Sequence, residues 1–158
     1  MMKPSLYVET SVISYLTARL ANNTEIAGRQ VATQRFWESR EQFDLYISPL
    51  VEAECSQGDP SAVQHRQNLI KDLALLTPQE EIIALADSLI AQQAVPAKAA
   101  QDAVHIAYAA WYRLEIIVSW NFRHIASVWA RRRIEAVLRE LGYCDLVIAT
   151  PEELLESP

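Results

Sequence analysis

The stretch SLYVETSVISYL, Ser5–Leu16, decides how the rest of the chain is read. Leu6, Tyr7 and Val8 make a short apolar run that suits a buried strand. The run ends in a carboxylate, Glu9, and two hydroxyls, Thr10 and Ser11. Apolar residues then return, and a helix is predicted from Val12 to about Leu20. Thr10 or Ser11 suits its N-cap, because a side-chain oxygen there accepts from a free N–H of the first turn. An acid beside a helix N-terminus is also favoured by the dipole. On this stretch alone, Glu9 is a residue that helps a helix to start.

The same alternation continues along the chain. A second helix is expected from Thr24 to about Gln42. FDLYIS, Phe43–Ser48, alternates and is rich in aromatic and β-branched residues, so it reads as a strand. Pro49 sits at the first turn of the helix that carries LVEAEC. Gly58, Asp59 and Pro60 read as a stop, an N-cap and an N1 residue. TPQE, Thr77–Glu80, has the capping-box spacing and opens a helix to about Gln93. Pro96 breaks the chain. An Ala-rich helix is predicted from Ala97 to Tyr112, with Ala99, Ala103, Ile106 and Ala110 on its buried face. EIIVS is the clearest buried strand, WNFRHI reads as a loop, and a charged helix runs to Leu141 before Gly142. DLVIA is a last strand, and TPEE starts a short final helix. Strands alternating with helices predict an α/β fold: a three-layer, Rossmann-like sandwich with a mostly parallel central sheet covered by helices on both faces. The 158 residues suit one domain, 1–158.

Composition narrows the functions. Apolar residues make up 51% and charged residues 22%, as in an ordinary globular protein. No apolar run approaches the roughly 18 residues a membrane span needs, and the N-terminus does not read as a secretory signal. Cys55 and Cys144 lie far apart, outside any zinc spacing, which fits a reducing cytoplasm rather than a disulfide framework. Cys55 is expected to act as a small buried hydrophobe. A net charge of −6 argues against a protein whose whole surface grips nucleic acid, so any such contact would need a local basic patch. Gly28, Gly58 and Gly142 are the only glycines and form neither GxGxxG nor a P-loop. A receiver-type phosphoacceptor needs a lysine at a later strand end, and Lys3, Lys71 and Lys98 do not sit at one.

In a parallel sheet, ligands bind outside the carboxyl ends of the strands. Glu9 follows the first strand, Glu54 lies just after the second, and Asn121 follows IIVS. Asp102 borders the apolar face of the Ala-rich helix, where an acid is costly unless paired, hydrogen-bonded or bound to a cation. Carboxylates converging at strand ends can hold Mg²⁺ or Mn²⁺, hard cations that take oxygen ligands. Glu52, two residues from Glu54 on a helix, should point elsewhere.

These positions, with YVETSVISYL, ISPLVEAE, AAQDAVHIAYAA and IIVSWNFRHI around them, resemble PIN-domain proteins, in particular VapC-like toxin nucleases of bacterial toxin–antitoxin pairs. The resemblance spans nearly the whole chain. It implies a PIN-like sandwich and a metal-dependent endoribonuclease. Glu9 takes the place of the first acid, with Thr10 or Ser11 beside it. Glu54 and Asp102 take the second and third acidic places, and Asn121 the fourth polar place. Glu9, Glu54 and Asp102 would be the ligands of Mg²⁺ or Mn²⁺. With Asn121 neutral and His124 following, three carboxylates suit one ion better than two. The resemblance further implies an antitoxin that covers the site with a basic or amphipathic segment, and a homodimer.

Other residues allow two readings each. His105 lies beside Asp102 and reads as a half-buried structural histidine, with a catalytic role as the sharper alternative. His124 sits in the loop beside Asn121 and is a supporting candidate. Trp120 reads as loop packing rather than a stacking platform for a base. The segment from Arg123 to Arg139 carries five arginines against Glu135 alone. Arg123, Arg131, Arg132 and Arg133 would guide an RNA backbone, or they form a solvated helix face with pairs such as Glu135 and Arg139. A second functional class stays open: a degenerate PIN module that binds protein or RNA without chemistry. Glu9, one methylene longer than the usual aspartate, and the neutral Asn121 favour it.

Overall fold

The computed structural model describes residues 2–156. Within them, five parallel strands form one sheet: β1 (Ser5–Val8), β2 (Asp44–Ile47), β3 (Ala74–Leu75), β4 (Ile116–Val118) and β5 (Val147–Ala149). Their order is β3-β2-β1-β4-β5. The chain therefore builds outward from β1 to one edge, returns, and builds outward from β4 to the other. Every pairing is parallel, so the sheet expected to be mostly parallel is wholly so. Leu6, Tyr7, Val8, Ile117 and Val118 have no solvent exposure, as central strands covered on both faces require.

Among the described residues, seven α-helices cover the sheet: α1 (Thr10–Thr17), α2 (Thr24–Glu38), α3 (Pro49–Cys55), α4 (Pro60–Ile70), α5 (Glu80–Ala91), α6 (Ala100–Trp111) and α7 (Val128–Glu140). α1 packs on α2, α3 and α4, while α5 packs on α6 and α7. The two groups are the outer layers of the sandwich. Asp59 caps α4 by accepting from the Ala62 N–H at 3.0 Å, with Pro60 at N1. Gly142 ends α7 with φ +90°, a left-handed conformation that suits glycine.

Several boundaries differ from expectation. Helix α1 stops at Thr17, not near Leu20. The Gln30 amide of α2 accepts from Ala21 N at 2.9 Å and donates to Arg19 O at 2.8 Å, and so holds that segment outside the helix. Helix α2 ends at Glu38, and a single tighter turn covers Arg40–Gln42. The TPQE capping box does not form. Helix α5 starts at Glu80 behind an extended Gln79, and the Tyr112 hydroxyl donates to the Thr77 carbonyl at 2.6 Å. The two-residue strand β3 was not expected. It is too short to show a period, and its pairing with β2 defines it. WNFRHI is not a plain loop: Phe122–Ala126 forms one π-helical turn, closed by Ala126 N on Asn121 O at 2.7 Å. The final helix is a short tight turn, Glu152–Leu154.

Candidate active site

The strand order reverses between β1 and β4, and the crevice at their carboxyl ends is where such a sheet binds ligands. Val8 lies in register with Val118, so Glu9 and Ser119 leave the sheet side by side. Glu9 N continues the ladder to Val118 O at 3.1 Å. The Glu9 side chain is only 5% exposed. Its Oε1 accepts from the Ser119 hydroxyl at 2.5 Å and the Ser11 hydroxyl at 2.6 Å, and its Oε2 accepts from Ser11 N at 2.9 Å. Glu9 itself is therefore the N-cap of α1, a place the sequence assigned to Thr10 or Ser11. The two hydroxyl residues do other things. Ser11 Oγ also accepts from Trp120 N at 2.8 Å, and the Ser119 hydroxyl accepts from Asn121 N at 2.9 Å. A short polar network thus ties the start of α1 to the segment after β4.

Thr10 turns toward α3 and donates to Glu54 Oε1 at 2.7 Å. The same oxygen lies 2.6 Å from His105 Nε2. His105 is not half-buried; it has no solvent exposure. Its Nδ1 lies 2.6 Å from the Tyr7 hydroxyl, which lies 2.7 Å from Ser48 Oγ. With the imidazole proton on Nε2, Tyr7 donates to Nδ1 and Ser48 donates to Tyr7. This line of polar groups runs through the core from β2 to the crevice and fixes one oxygen of Glu54. Burial alone would raise the Glu54 pKa, but the hydrogen bond from His105, with that of the Thr10 hydroxyl, outweighs it and lowers it. Burial pushes Tyr7 well above the ordinary phenol range, and the Glu9 and Glu54 charges push it further, so it remains a phenol. Glu52 faces solvent, as its spacing predicts.

Asp102 lies in the first turn of α6, half-buried. Its pKa is raised, first by burial and then by the Glu9 charge; Asn121, His105 and His124 pull the other way. Asn121 Oδ1 caps the π turn by accepting from His124 N at 3.1 Å, which leaves its NH₂ group for Asp102. Glu9, Glu54, Asp102 and Asn121 therefore share one neighbourhood at the strand ends.

Among the described residues, no three of His, Cys, Asp and Glu stand in the arrangement of a metal site. The donor chemistry nevertheless suits a hard cation. Glu54 Oε2 takes no hydrogen bond among the described residues, and Asp102 carries a carboxyl that burial and Glu9 both disfavour as an anion. A cation would relieve that cost. Glu9 is the least available of the three, with both oxygens already accepting.

The arginines do not act alike. Arg131 is bidentate on Glu153, at 2.5 and 3.1 Å, and its Nε donates to Ala126 O at 2.8 Å. It holds α7 to the C-terminal turn, and its guanidinium is taken. Glu153 answers with a pKa of about 2, mainly through its hydrogen bonds to Arg131. No Glu135–Arg139 pair forms. Arg123, Arg132 and Arg133 are exposed. Trp120 is buried and donates to Thr33 Oγ1 at 2.8 Å, so it packs the loop. Cys55 is fully buried, and burial raises its thiol to about 11.

Sequence reasoning underrated Tyr7, Ser48, His105 and Ser119. A polar residue in each of the two central strand segments was the available signal, but it needs the pairing partner to be read. A scan against protein-family models and a search of curated protein sequences both find no match. No helix is long and apolar enough to cross a membrane among the described residues.

Proposed function

We propose that the chain is a Mg²⁺- or Mn²⁺-dependent endoribonuclease of PIN type, acting in the cytoplasm as the toxin of a toxin–antitoxin pair. Its partners in this reading are an RNA substrate, an antitoxin whose basic segment covers the acidic crevice, and a second copy of the chain. One observation supports the reading: at the strand-order reversal the Glu9 charge reaches Asp102, which Asn121 and His105 also approach, and the same His105 holds Glu54. Glu54 through Oε2 and Asp102 would hold the ion, with Glu9 behind them. When bound, the ion would supply electrostatic stabilisation of a phosphoryl group and a more acidic water.

The chain's own residues have defined tasks. Thr10 and His105 hold Glu54 Oε1, so its second oxygen is kept in one orientation. Asn121 presents an amide to Asp102 and to any phosphate oxygen beside it. A free carboxylate of this set accepts the proton of the attacking water.

A second reading has its own support. The carboxylate of Glu9 is occupied as a helix cap, with three internal hydrogen bonds. That favours a module that binds RNA or protein without chemistry. Calorimetry with Mn²⁺ separates the two. Binding by the wild-type protein that disappears in Asp102→Asn supports the nuclease, and metal-dependent cleavage of single-stranded RNA by the wild type alone completes it. No binding at millimolar Mn²⁺ overturns it in favour of the degenerate module.

A further inference from the structure

Beside the acidic crevice lies a second cavity of about 670 Å³, between the Pro96–Lys98 segment, the π turn and α7. Its walls carry Lys98, Arg123, His124 and Arg133, and no Asp or Glu lines it. In a chain of net charge −6 this is a marked local inversion. Among the described residues, none of these cations makes an ion pair or a side-chain hydrogen bond; the pairs present are Arg29–Glu25, His105–Glu54 and Arg131–Glu153. Unpaired cations gathered in a concave site attract an anion. The apolar part of the lining is the exposed Pro96 and Ala97, seated over the fully buried Val95. Phosphate-binding groups around an apolar patch match the two halves of a nucleotide.

The cavity adjoins the crevice, since His124 in its wall is close enough to act on Asp102. Lys98 lies four residues before Asp102, and Asn121 caps the turn that carries Arg123 and His124. A strand lying across the crevice would continue into the cavity.

We propose that this cavity is a subsite for one nucleotide of single-stranded RNA, next to the bond presented to the acids. Lys98, Arg123 and Arg133 take the phosphates on either side of it, and the exposed Pro96 and Ala97 receive its base. The volume lies within the roughly 300–1,000 Å³ of small-ligand sites. A base can enter only when unstacked, so the subsite selects single strands over duplex. The assignment rests on the nuclease reading for its substrate, but its test does not depend on cleavage.

The test is fluorescence anisotropy of a labelled eight-nucleotide single-stranded RNA with the full chain in EDTA, across a salt series. Lys98→Glu with Arg133→Glu is expected to weaken binding at least tenfold and to flatten the salt slope by roughly 1 to 1.5. Lys71→Glu with Arg35→Glu makes the same charge change away from the cavity and is expected to cost less than threefold. The charge-preserving pair Lys98→Arg with Arg133→Lys is expected to retain binding, with thermal unfolding reporting the fold of every variant. Equal losses in both charge-reversed proteins overturn the subsite. So does undetectable RNA binding at low salt, or equal affinity for a duplex of the same sequence. Failure of Mn²⁺ binding would remove the nuclease reading and leave this result standing.

Discussion

The Tyr7–His105–Glu54 line can be tested by stability alone. Tyr7→Phe removes one oxygen and leaves the ring. That oxygen bridges Ser48 Oγ at 2.7 Å and His105 Nδ1 at 2.6 Å, and all three residues have no solvent exposure. Two hydrogen bonds disappear, each with a net contribution of about 1 kcal/mol. Two buried polar atoms are also orphaned, since no water reaches them, and each orphan costs about 1–3 kcal/mol where nothing rearranges. Some relaxation of the Ser48 rotamer is allowed, so the expected loss is about 2–4 kcal/mol. For a chain of this size that lowers the thermal midpoint by roughly 5–15 °C. Urea unfolding is the assay, with the midpoint moving and the slope unchanged. Ser48→Ala supplies the internal check. In the wild-type background it breaks a satisfied bond, but on top of Tyr7→Phe it removes an orphan and recovers about 1 kcal/mol. The double-mutant cycle should therefore show a coupling of about 1 kcal/mol or more. A Tyr7→Phe protein within about 0.5 kcal/mol of wild type, or additive single variants, would refute the buried line as drawn.

Asp102→Asn should stabilise the protein in EDTA while removing Mn²⁺ binding. Its pKa is raised in the fold, so the native state binds protons more tightly than the unfolded chain and loses stability as pH rises above the ordinary aspartate range; an unchanged or lower urea midpoint contradicts this. Glu54 has the opposite sign. Its depressed pKa contributes stability that is complete above the unfolded value of 4.5 and lost as pH falls through the lower folded value. Acid titration of Glu54→Gln by circular dichroism should accordingly show a shallower acid limb than wild type. Glu9→Gln places an NH₂ group against hydroxyl or amide donors that now meet a carboxylate, and should destabilise by about 1–3 kcal/mol in thermal melts. Arg131→Ala should cost about 1 kcal/mol or less, because Glu153 is half exposed and solvent screens the pair, and RNA affinity should hold if this arginine is structural as its contacts indicate.

Much of the fold is legible without coordinates, because its signals are local. A fully apolar YV or IIV segment fits a strand covered on both faces, whatever strand lies beside it. Asp59–Pro60 starts a helix, and Gly142 ends one, through their own backbone and side-chain chemistry. Strand and helix alternation then leaves a parallel sheet as the economical arrangement, and the carboxyl ends of its strands as the place to look for acids. That is how Glu9, Glu54 and Asn121 were reached, whereas Asp102 stood out as an acid bordering an apolar helix face, and the resemblance set the four together.

What the linear sequence could not decide is which atom satisfies which. Glu9 caps α1 because Ser119, 110 residues away, stands in register beside it and adds a second hydroxyl to the same oxygen. His105 looks from its spacing like a residue on the border of a helix; packing closes over it and sets it between Tyr7 and Glu54. Helix α5 starts late because Tyr112 holds Thr77, and Arg131 leaves the basic face because Glu153 folds back onto it. In each case the deciding energy is a hydrogen bond or ion pair between distant segments. Such a bond has no period or local signature, and exists only once the sheet has fixed its partners within about 3 Å of one another.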